Sequence, residues 1–349
     1  MADRTTAVTQ PRPPAPLREG ETIFTALHQV ASALPNHLAL MSGGAGGERA
    51  TRITYSQLLE HVERFADVLT LCGVRRGETV ALQMPNCWGS ATLLLACLRI
   101  GALAVPIPQT VTTHQLEHTL ATTGASTCVV YDGHHGHHNA QELLAVSARL
   151  PDLRHRIVVG DARTTGALDF ERLCRDRSGV WQADEEHPHP LPRDTDNPCL
   201  AIPDFNHRTP TTINYQHKRL STHALTTTHA AANSGEPRTP MNEIFGTTYP
   251  LTHPTGLTTA IWQPILTAGT SVFPELWNPA ECLDLFEESR VTHIAGPPEH
   301  WQQLIEEQRR RPRRLPQLCH ATTHGSAPAP LAVGVRKAFG IPLHIHPDH

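Results

Sequence analysis

The chain has 349 residues, of which 18% are charged, and a formal net charge of −4 with neutral histidines. This balance excludes a general attraction to nucleic acid or acidic lipid, and no apolar run approaches the length of a membrane span. The eight cysteines form no C-x-x-C pair, which predicts reduced thiols in a cytoplasmic protein. Residues 1–19 are polar and proline-rich, and we expect them to be a disordered arm.

Helical and strand patterns alternate between residues 20 and 183, which predicts a first α/β subdomain. Trp88–Ile100 is almost wholly apolar and is expected to be a helix buried on most faces. The other predicted elements of this part are helices at 23–34, 56–69 and 114–123 and strands at 79–83, 104–107 and 127–131.

The pattern weakens after Gly133, and the four prolines of residues 184–198 indicate an irregular segment. Residues 199–349 are predicted to form a second α/β subdomain. Its predicted helices are 256–266, 279–289 and 298–308, and its predicted strands are 271–273, 291–295, 316–323 and 341–345, with a strand and then a loop over 249–255. The alternation predicts an α/β fold of doubly wound, mostly parallel sheets covered by helices.

Six stretches, in this order and spacing, resemble the large AMP-binding N-terminal domain of adenylate-forming ligases, the superfamily of acyl- and aryl-CoA synthetases. They are ITYSQL (53–58), GVRRGETVALQMPNC (73–87), LLLACLRIGALAVPI (93–107), YPLTHPTGL (249–257), VTHIAGPPEHWQQLI (291–305) and HGSAPAPLAVGVRKAFGIPL (324–343). The resemblance implies the fold of that domain and a pocket for a carboxylic acid.

Three groups of residues match motifs to which the family assigns a role, and the roles are implied by the resemblance alone. They are His253 and Gly256 of the H-x-x-G element beside the acyl or aryl pocket, Gly296 and Pro297 on its far side, and Gly325, Ser326, Ala327 and Pro328 of the turn that stacks on adenine.

The glycine-rich phosphate loop of the family, [YT]-[ST]-S-G-T-T-G-x-P-K-G, is absent. It falls on 203–212, where Pro210 alone matches and the departures are Asp204 for serine, Phe205 and Arg208 for glycines, and Thr211 for lysine. Glycines let backbone N–H groups approach phosphates closely, and the lysine supplies a positive charge. We therefore expect no cofactor, with binding of ATP and magnesium lost.

The resemblance also implies a C-terminal truncation. Relatives continue through a Y-G-x-T-E motif into a further domain, whereas Pro347 and Asp348 stand at the tyrosine and glycine positions shortly before the sequence stops at His349.

Several polar clusters leave alternatives open. Asp204, His207 and His217 offer acid and base groups for a remade active site, with His253 as a further candidate base; the alternative is a drifted loop and an ancestral histidine. His134, His135, His137 and His138 are spaced to bind a metal, or form a solvated loop. The arginine run 309–314 either binds phosphate groups or ends a solvated helix.

The leading functional hypothesis is an adenylation-deficient acyl- or aryl-CoA synthetase homologue. It would bind, or act without ATP on, a carboxylic acid or a carrier-tethered acyl group, in the biosynthesis of a secondary metabolite. The alternatives are a non-catalytic partner of an intact ligase or an acyl carrier protein, one half of a split ligase, and a decaying gene product. No nucleic acid or membrane partner is expected.

Overall fold

A computed structural model describes residues 21–43, 49–133, 138–163, 165–176, 196–205, 209–232 and 243–347. The first part of the fold comprises α1 (Ile23–Ala33), β1 (Leu38–Gly43), β2 (Thr51–Thr54), α2 (Tyr55–Leu71), β3 (Thr79–Gln83), α3 (Trp88–Ile100), β4 (Leu103–Ile107), α4 (Thr113–Thr122), β5 (Ala125–Tyr131), α5 (Asn139–Ser147), β6 (His155–Val159), β7 (Leu168–Asp169) and α6 (Phe170–Asp176).

The remaining elements run from the paired strands β8 and β9 to a last edge strand. They are β8 (Pro198–Asp204), β9 (Thr211–Gln216), α7 (His217–Ala232), β10 (Ile244–Thr247), α8 (Pro254–Leu257), a π-helical stretch (Thr258–Trp262), α9 (Gln263–Thr267), β11 (Thr270–Pro274), α10 (Pro279–Ser289), β12 (His293–Ala295), α11 (Pro298–Arg310), β13 (His320–His324), α12 (Ala329–Phe339) and β14 (Leu343–His346).

Within the described ranges the strands form two seven-stranded sheets. Sheet 1 has the order β14-β13-β12-β10-β11-β1-β2, and sheet 2 has the order β7-β6-β5-β3-β4-β8-β9. All neighbours are parallel except the pairs β1–β2 and β8–β9, each at one edge of its sheet. The predicted α/β class with mostly parallel, doubly wound sheets is confirmed.

Each sheet takes strands from both sides of the segment 184–198. The early strands β1 and β2 complete sheet 1, whose other strands lie after residue 243, and the later strands β8 and β9 complete sheet 2. The predicted boundary between subdomains therefore does not coincide with the division between the sheets.

The core lies in three layers of side chains. Helices α1, α2 and α3 pack between the sheets, with Leu40 and Phe273 from sheet 1 and Val80 and Leu82 from sheet 2 in the same cluster. Helices α10, α11 and α12 cover the other face of sheet 1, and α4 and α5 cover the other face of sheet 2. As expected for a helix between two layers, α3 is buried at every position from Ser90 to Ile100.

Some predicted elements were wrong in position. The strand expected at the start of 249–255 lies earlier, at Ile244–Thr247, because Pro250 and Pro254 interrupt strand pairing and Pro254 begins a helix instead. The predicted helix 256–266 runs from Pro254 to Thr267 with a π-helical centre. Within the described ranges no helix combines the length and apolar character needed to cross a bilayer.

Candidate functional site

His253 is fixed at the start of α8 by the backbone that follows it. Its Nδ1 accepts a hydrogen bond from the backbone N–H of Thr255 at 3.2 Å, so the neutral imidazole carries its proton on Nε2. Its ring stacks on Tyr249 with 4.8 Å between centroids. The Tyr249 hydroxyl in turn accepts the backbone N–H of His324 at 3.1 Å, which connects α8 to the end of β13.

The residues predicted to line the acid pocket converge on the backbone segment 248–250. A Cβ at Gly296 would lie 2.6 Å from Thr248 Oγ1, and one at Gly256 would collide with the Pro250 carbonyl oxygen. Both positions therefore need glycine for close packing. Together with the stacked ring of His253, these two glycines hold Tyr249 in place, and Pro297 caps the start of α11.

A set of histidines, here called the imidazole face, lies on one side of the strands β12, β13 and β14 of sheet 1, close to Tyr249. In parallel register His293 lies beside His320, and His324 lies beside His346. The ring centroids of His320 and His344 are 4.5 Å apart, and those of His324 and His346 are 5.2 Å apart. Burial, and then the neighbouring His344, lower the pKa of His346. In its neutral form the His346 ring offers one donor and one acceptor nitrogen at the edge of this set of histidines.

The imidazole face and the π-helical stretch enclose a cavity of about 30 Å³. Thr255, Thr258, Thr259 and Gln263 line it from the helix side. The volume accommodates one or two water molecules in this conformation, so the histidine side chains must move before a larger acid enters. π-Helical turns occur frequently at functional sites, and two threonines of this one, Thr258 and Thr259, line the cavity beside the imidazole face.

The turn predicted to be a nucleotide shelf follows β13 directly. Gly325 has φ +82°, a left-handed conformation that favours glycine, and its N–H donates to the His346 carbonyl oxygen at 2.9 Å. Ser326 and Ala327 continue the turn, and Pro328 caps the start of α12. This backbone bond ties the shelf to the strand that carries His346.

The segment expected to replace the phosphate loop is the tip of an antiparallel hairpin. Asp204, the last residue of β8, lies opposite Thr211, and β8 and β9 stay paired back to Pro198 and Gln216. Phe205 is half-buried and packs against the core cluster between sheet 2 and helices α4 and α5. The backbone at the family's first loop glycine is therefore anchored by an aromatic ring.

The structure does not bring the other candidate catalytic groups together. His217 is buried at the start of α7, six residues after Thr211 along β9, which places it about 20 Å from Asp204. His253 belongs to the Tyr249 contact described above. His207 lies outside the described residues.

The predicted metal site is largely outside the described residues as well. His134, His135 and His137 are not described, and His138 caps the start of α5, where its carbonyl oxygen accepts the N–H of Gln141 at 3.1 Å. Within the described ranges no group of three or more histidine, cysteine, aspartate or glutamate side chains is placed to hold a metal ion.

Sequence reasoning missed the imidazole face and Tyr249. The signal that marks it is the alternation His320, Thr322, His324 followed by His344 and His346, because residues two apart on a strand share a face. Because histidine and threonine are polar, this alternation predicts a side of the strand that faces solvent, whereas in the structure it faces the helices.

The family model described as AMP-binding enzyme matches residues 27–202 and 210–346, which is most of the chain. This chain belongs to the AMP-binding enzyme family. The gap in the match, between residues 202 and 210, coincides with the tip of the β8–β9 hairpin.

Curated relatives and solved structures agree with this assignment. The chain is 27% identical over 302 residues to a feruloyl-CoA synthase from Amycolatopsis sp., covering 86% of this chain and 54% of the relative. It is 29% identical over 157 residues to a 2-hydroxy-7-methoxy-5-methyl-1-naphthoate–CoA ligase from Streptomyces carzinostaticus, covering 45% of this chain and 27% of the relative. The chain thus spans about half the length of the first of these relatives.

The fold is also that of a solved ligase. A crystal structure of an anthranilate CoA ligase in complex with anthranoyl-AMP superimposes with a TM-score of 0.77 at 17% sequence identity, covering 95% of this chain and 60% of that one. At this identity the likeness establishes the fold. The chain is therefore similar to adenylate-forming acyl- and aryl-CoA ligases in both sequence and architecture.

Proposed function

We propose that this chain binds a carboxylic acid, or an acyl group carried as a thioester, without activating it with ATP. The observation that carries the proposal is the interruption of the family match between residues 202 and 210, at the tip of the β8–β9 hairpin. In the family pattern this tip is the phosphate loop, whose glycine N–H groups and lysine hold a triphosphate.

The residues at this tip do not fit a triphosphate. Phe205 stands at a glycine position of the family loop and packs against the core, and it lacks the freedom that lets a glycine backbone approach phosphate oxygens closely. Asp204 adds a negative charge at the end of β8, where the family has a serine. Thr211, paired opposite Asp204, supplies no positive charge at the lysine position.

The acid-binding half of the proposal is supported by the imidazole face. Imidazole N–H groups and the threonine hydroxyls of the π-helical stretch donate hydrogen bonds to carboxylate or thioester oxygens. An acid would enter by rotation of the His324 and His346 side chains at the edge of sheet 1, where β14 is the last strand. The relatives that act on feruloyl and naphthoate groups suggest an aryl acid of secondary metabolism.

Isothermal calorimetry with ATP–magnesium, and separately with a panel of aryl and acyl acids, tests the proposal. We expect heat from acid binding, no saturable heat from ATP, and no acid-dependent exchange of labelled pyrophosphate into ATP. Tight ATP binding, or exchange above the level without acid, would overturn it. Co-purification with an intact ligase or a carrier protein, without turnover of any acyl thioester, would favour the role of a non-catalytic partner instead.

A further inference from the structure

A second cavity, of about 720 Å³, lies at the carboxyl ends of the sheet 2 strands β3, β5 and β6. Met84 and Pro85 follow β3 at its rim, while Tyr131 ends β5 and Val159 ends β6. Its volume falls in the range of about 300–1,000 Å³ that small-molecule sites occupy. It shares no lining residue with the cavity of the imidazole face.

The position of this cavity in the topology is one at which open α/β sheets bind ligands. Strands β3 and β5 are neighbours in sheet 2, but the chain leaves β3 through α3 towards β4 and leaves β5 through α5 towards β6. Connections that depart in opposite directions from adjacent parallel strands open a crevice between their carboxyl ends, and ligands bind there.

Arg64 supplies a cation on the wall of this cavity. One of its terminal nitrogens donates to Nδ1 of His61, and its Nε is buried without a hydrogen-bond partner. No carboxylate among the described residues forms an ion pair with it. Burial, and then Arg64 itself, lower the pKa of His61, so the pair carries a single positive charge at neutral pH. Arg64 as a whole is half-buried and lines the cavity, so an anion bound there would form a charge-assisted interaction with its guanidinium.

Aromatic rings form the wall next to Arg64. The centroids of Phe65 and Trp88 are 6.2 Å apart, and those of Phe65 and Phe170 are 4.8 Å apart in an edge-to-face arrangement. His61 packs on Trp88 with 5.1 Å between centroids, which joins the cation to this wall. Flat surfaces of this kind favour stacking with a planar ring over packing with a flexible chain.

An acceptor group lines the cavity as well. The half-buried Glu275, which follows β11 of sheet 1, lines the cavity and accepts a hydrogen bond from the Ser42 hydroxyl at 3.2 Å. A carboxylate in this position accepts from a ligand hydroxyl or amino group and repels a second anion. The exposed pair of Arg175 and Glu171, 3.7 Å apart, lies at the rim.

We propose that this cavity is a binding site for an aromatic carboxylate that carries a hydroxyl or amino substituent, with its carboxylate at Arg64, its ring on the aromatic wall and its substituent near Glu275. The site is additional to the acid-binding role proposed for the imidazole face and stands without it.

Calorimetry with 4-hydroxybenzoate tests this assignment, and three analogues each lack one feature. 4-Hydroxybenzamide lacks the carboxylate charge, benzoate lacks the hydroxyl donor, and 4-hydroxycyclohexanecarboxylate lacks the aromatic ring. We expect the hydroxybenzoate to bind most tightly and R64Q to weaken it by about 10-fold or more, the loss expected for one charge-assisted interaction. R52Q is the matched control, because Arg52 is an exposed arginine of sheet 1 paired with Glu288, and its affinity should equal that of the wild type.

The indole N–H resonance of Trp88, assigned with W88F, gives a second readout on the wild-type protein that does not depend on the folding of R64Q. 4-Hydroxybenzoate should shift this resonance among the five tryptophans. Equal affinity in R64Q and the wild type, equal binding of the neutral amide, or an unshifted Trp88 signal at saturation would each overturn the assignment. If 4-hydroxybenzoate shifts the Trp88 resonance and the protein also binds ATP, the proposed function is contradicted and the assignment of this site is not.

Discussion

The Nε of Arg99 in α3 donates to both carboxylate oxygens of Glu63 in α2, at 2.9 and 3.1 Å, between side chains that are 2% and 5% exposed. The Arg99 guanidinium also lies 5.0 Å from the centre of the Phe24 ring, so it links three helices of the layer between the sheets. Removing one partner of such a pair leaves the other charge buried without compensation.

R99M should therefore lower the free energy of unfolding by about 3–5 kcal/mol, the cost of an uncompensated buried charge. The double variant E63L/R99M should recover most of this loss, because it removes both charges and keeps apolar volume. Urea unfolding followed by circular dichroism measures both. A loss below about 1 kcal/mol in R99M would contradict the prediction, since that is the level of an exposed pair.

The second prediction concerns Glu307 in α11. The adjacent Arg310 and Arg313 lower the pKa of this carboxyl to about 2, from an ordinary value of 4.5. A depressed carboxyl pKa contributes stability that is present above pH 4.5 and lost as the pH falls towards about 2. The stability difference between wild type and E307Q, measured by urea unfolding, should thus narrow as the pH falls below 4.5; an unchanged difference would be evidence against the ion-pair network.

Glu307 also shows why the arginine run 309–314 is not a free basic patch. Arg313 is buried, and its side chain donates to Glu307 at 2.7 Å and to Asp284 at 2.8 Å. Arg310 pairs with Glu307 and Arg311 with Asp284. Three of these arginines are thus engaged by acids of α10 and α11, which the spacing along the sequence did not reveal.

The third prediction concerns the effect of low pH on the stability of the imidazole face. Burial and the neighbouring His344 lower the pKa of His346 below its ordinary value of 6.5. A base whose pKa is lowered by folding does not change the free energy of unfolding above pH 6.5, where it is neutral in both states. As the pH falls below 6.5 the unfolded state takes up the proton more readily, so the free energy of unfolding decreases. The melting temperature of the wild type should fall more steeply between pH 8 and pH 5 than that of H346Q. Parallel curves would rule His346 out as a source of acid sensitivity.

The fourth prediction compares two glycines. G256A would drive a methyl group into the Pro250 carbonyl oxygen and displace the segment that holds Tyr249, at a cost of about 1–3 kcal/mol or more. G89A is the matched control, because a Cβ there meets only Cys87 Sγ, at 3.7 Å, in the first turn of α3. Thermal unfolding should show a large loss for G256A and little change for G89A. Equal effects would indicate that the segment 248–250 has room to move.

Sequence patterns predicted the structure best where hydrophobic burial alone determines the position of an element. Helix α3 was predicted at its observed bounds because an almost wholly apolar stretch between two strands is most stable when it is buried in the middle layer. The family motifs then gave the fold and the residues around Tyr249. The hairpin of β8 and β9 was missed, because Pro203 and the exposed positions of β9 break the alternation that marks a strand.

The candidate sites depend on contacts that no local pattern encodes. Tyr249 and His324 are 75 positions apart, and the large cavity is lined both by Arg64 of α2 and by Glu275, which follows β11. A single sequence gives residue types at those positions but not the crossovers that bring them together. The π-helical stretch was likewise not predicted, and its residues Ile261 and Trp262 are buried in the core.

The exchange of edge strands between the two sheets has a consequence for how the protein is made. The hydroxyl of Thr270 donates to the Leu38 carbonyl oxygen across 232 positions, where β1 docks on β11. During synthesis the N-terminal half of the chain cannot complete either sheet, because β1 pairs with β11 and sheet 2 needs β8 and β9. The strands β1 and β2 therefore join sheet 1 only after β11 has been made. If the chain is divided within 184–198, each fragment should consequently be insoluble when expressed alone. The two fragments should form a soluble folded complex when they are co-expressed.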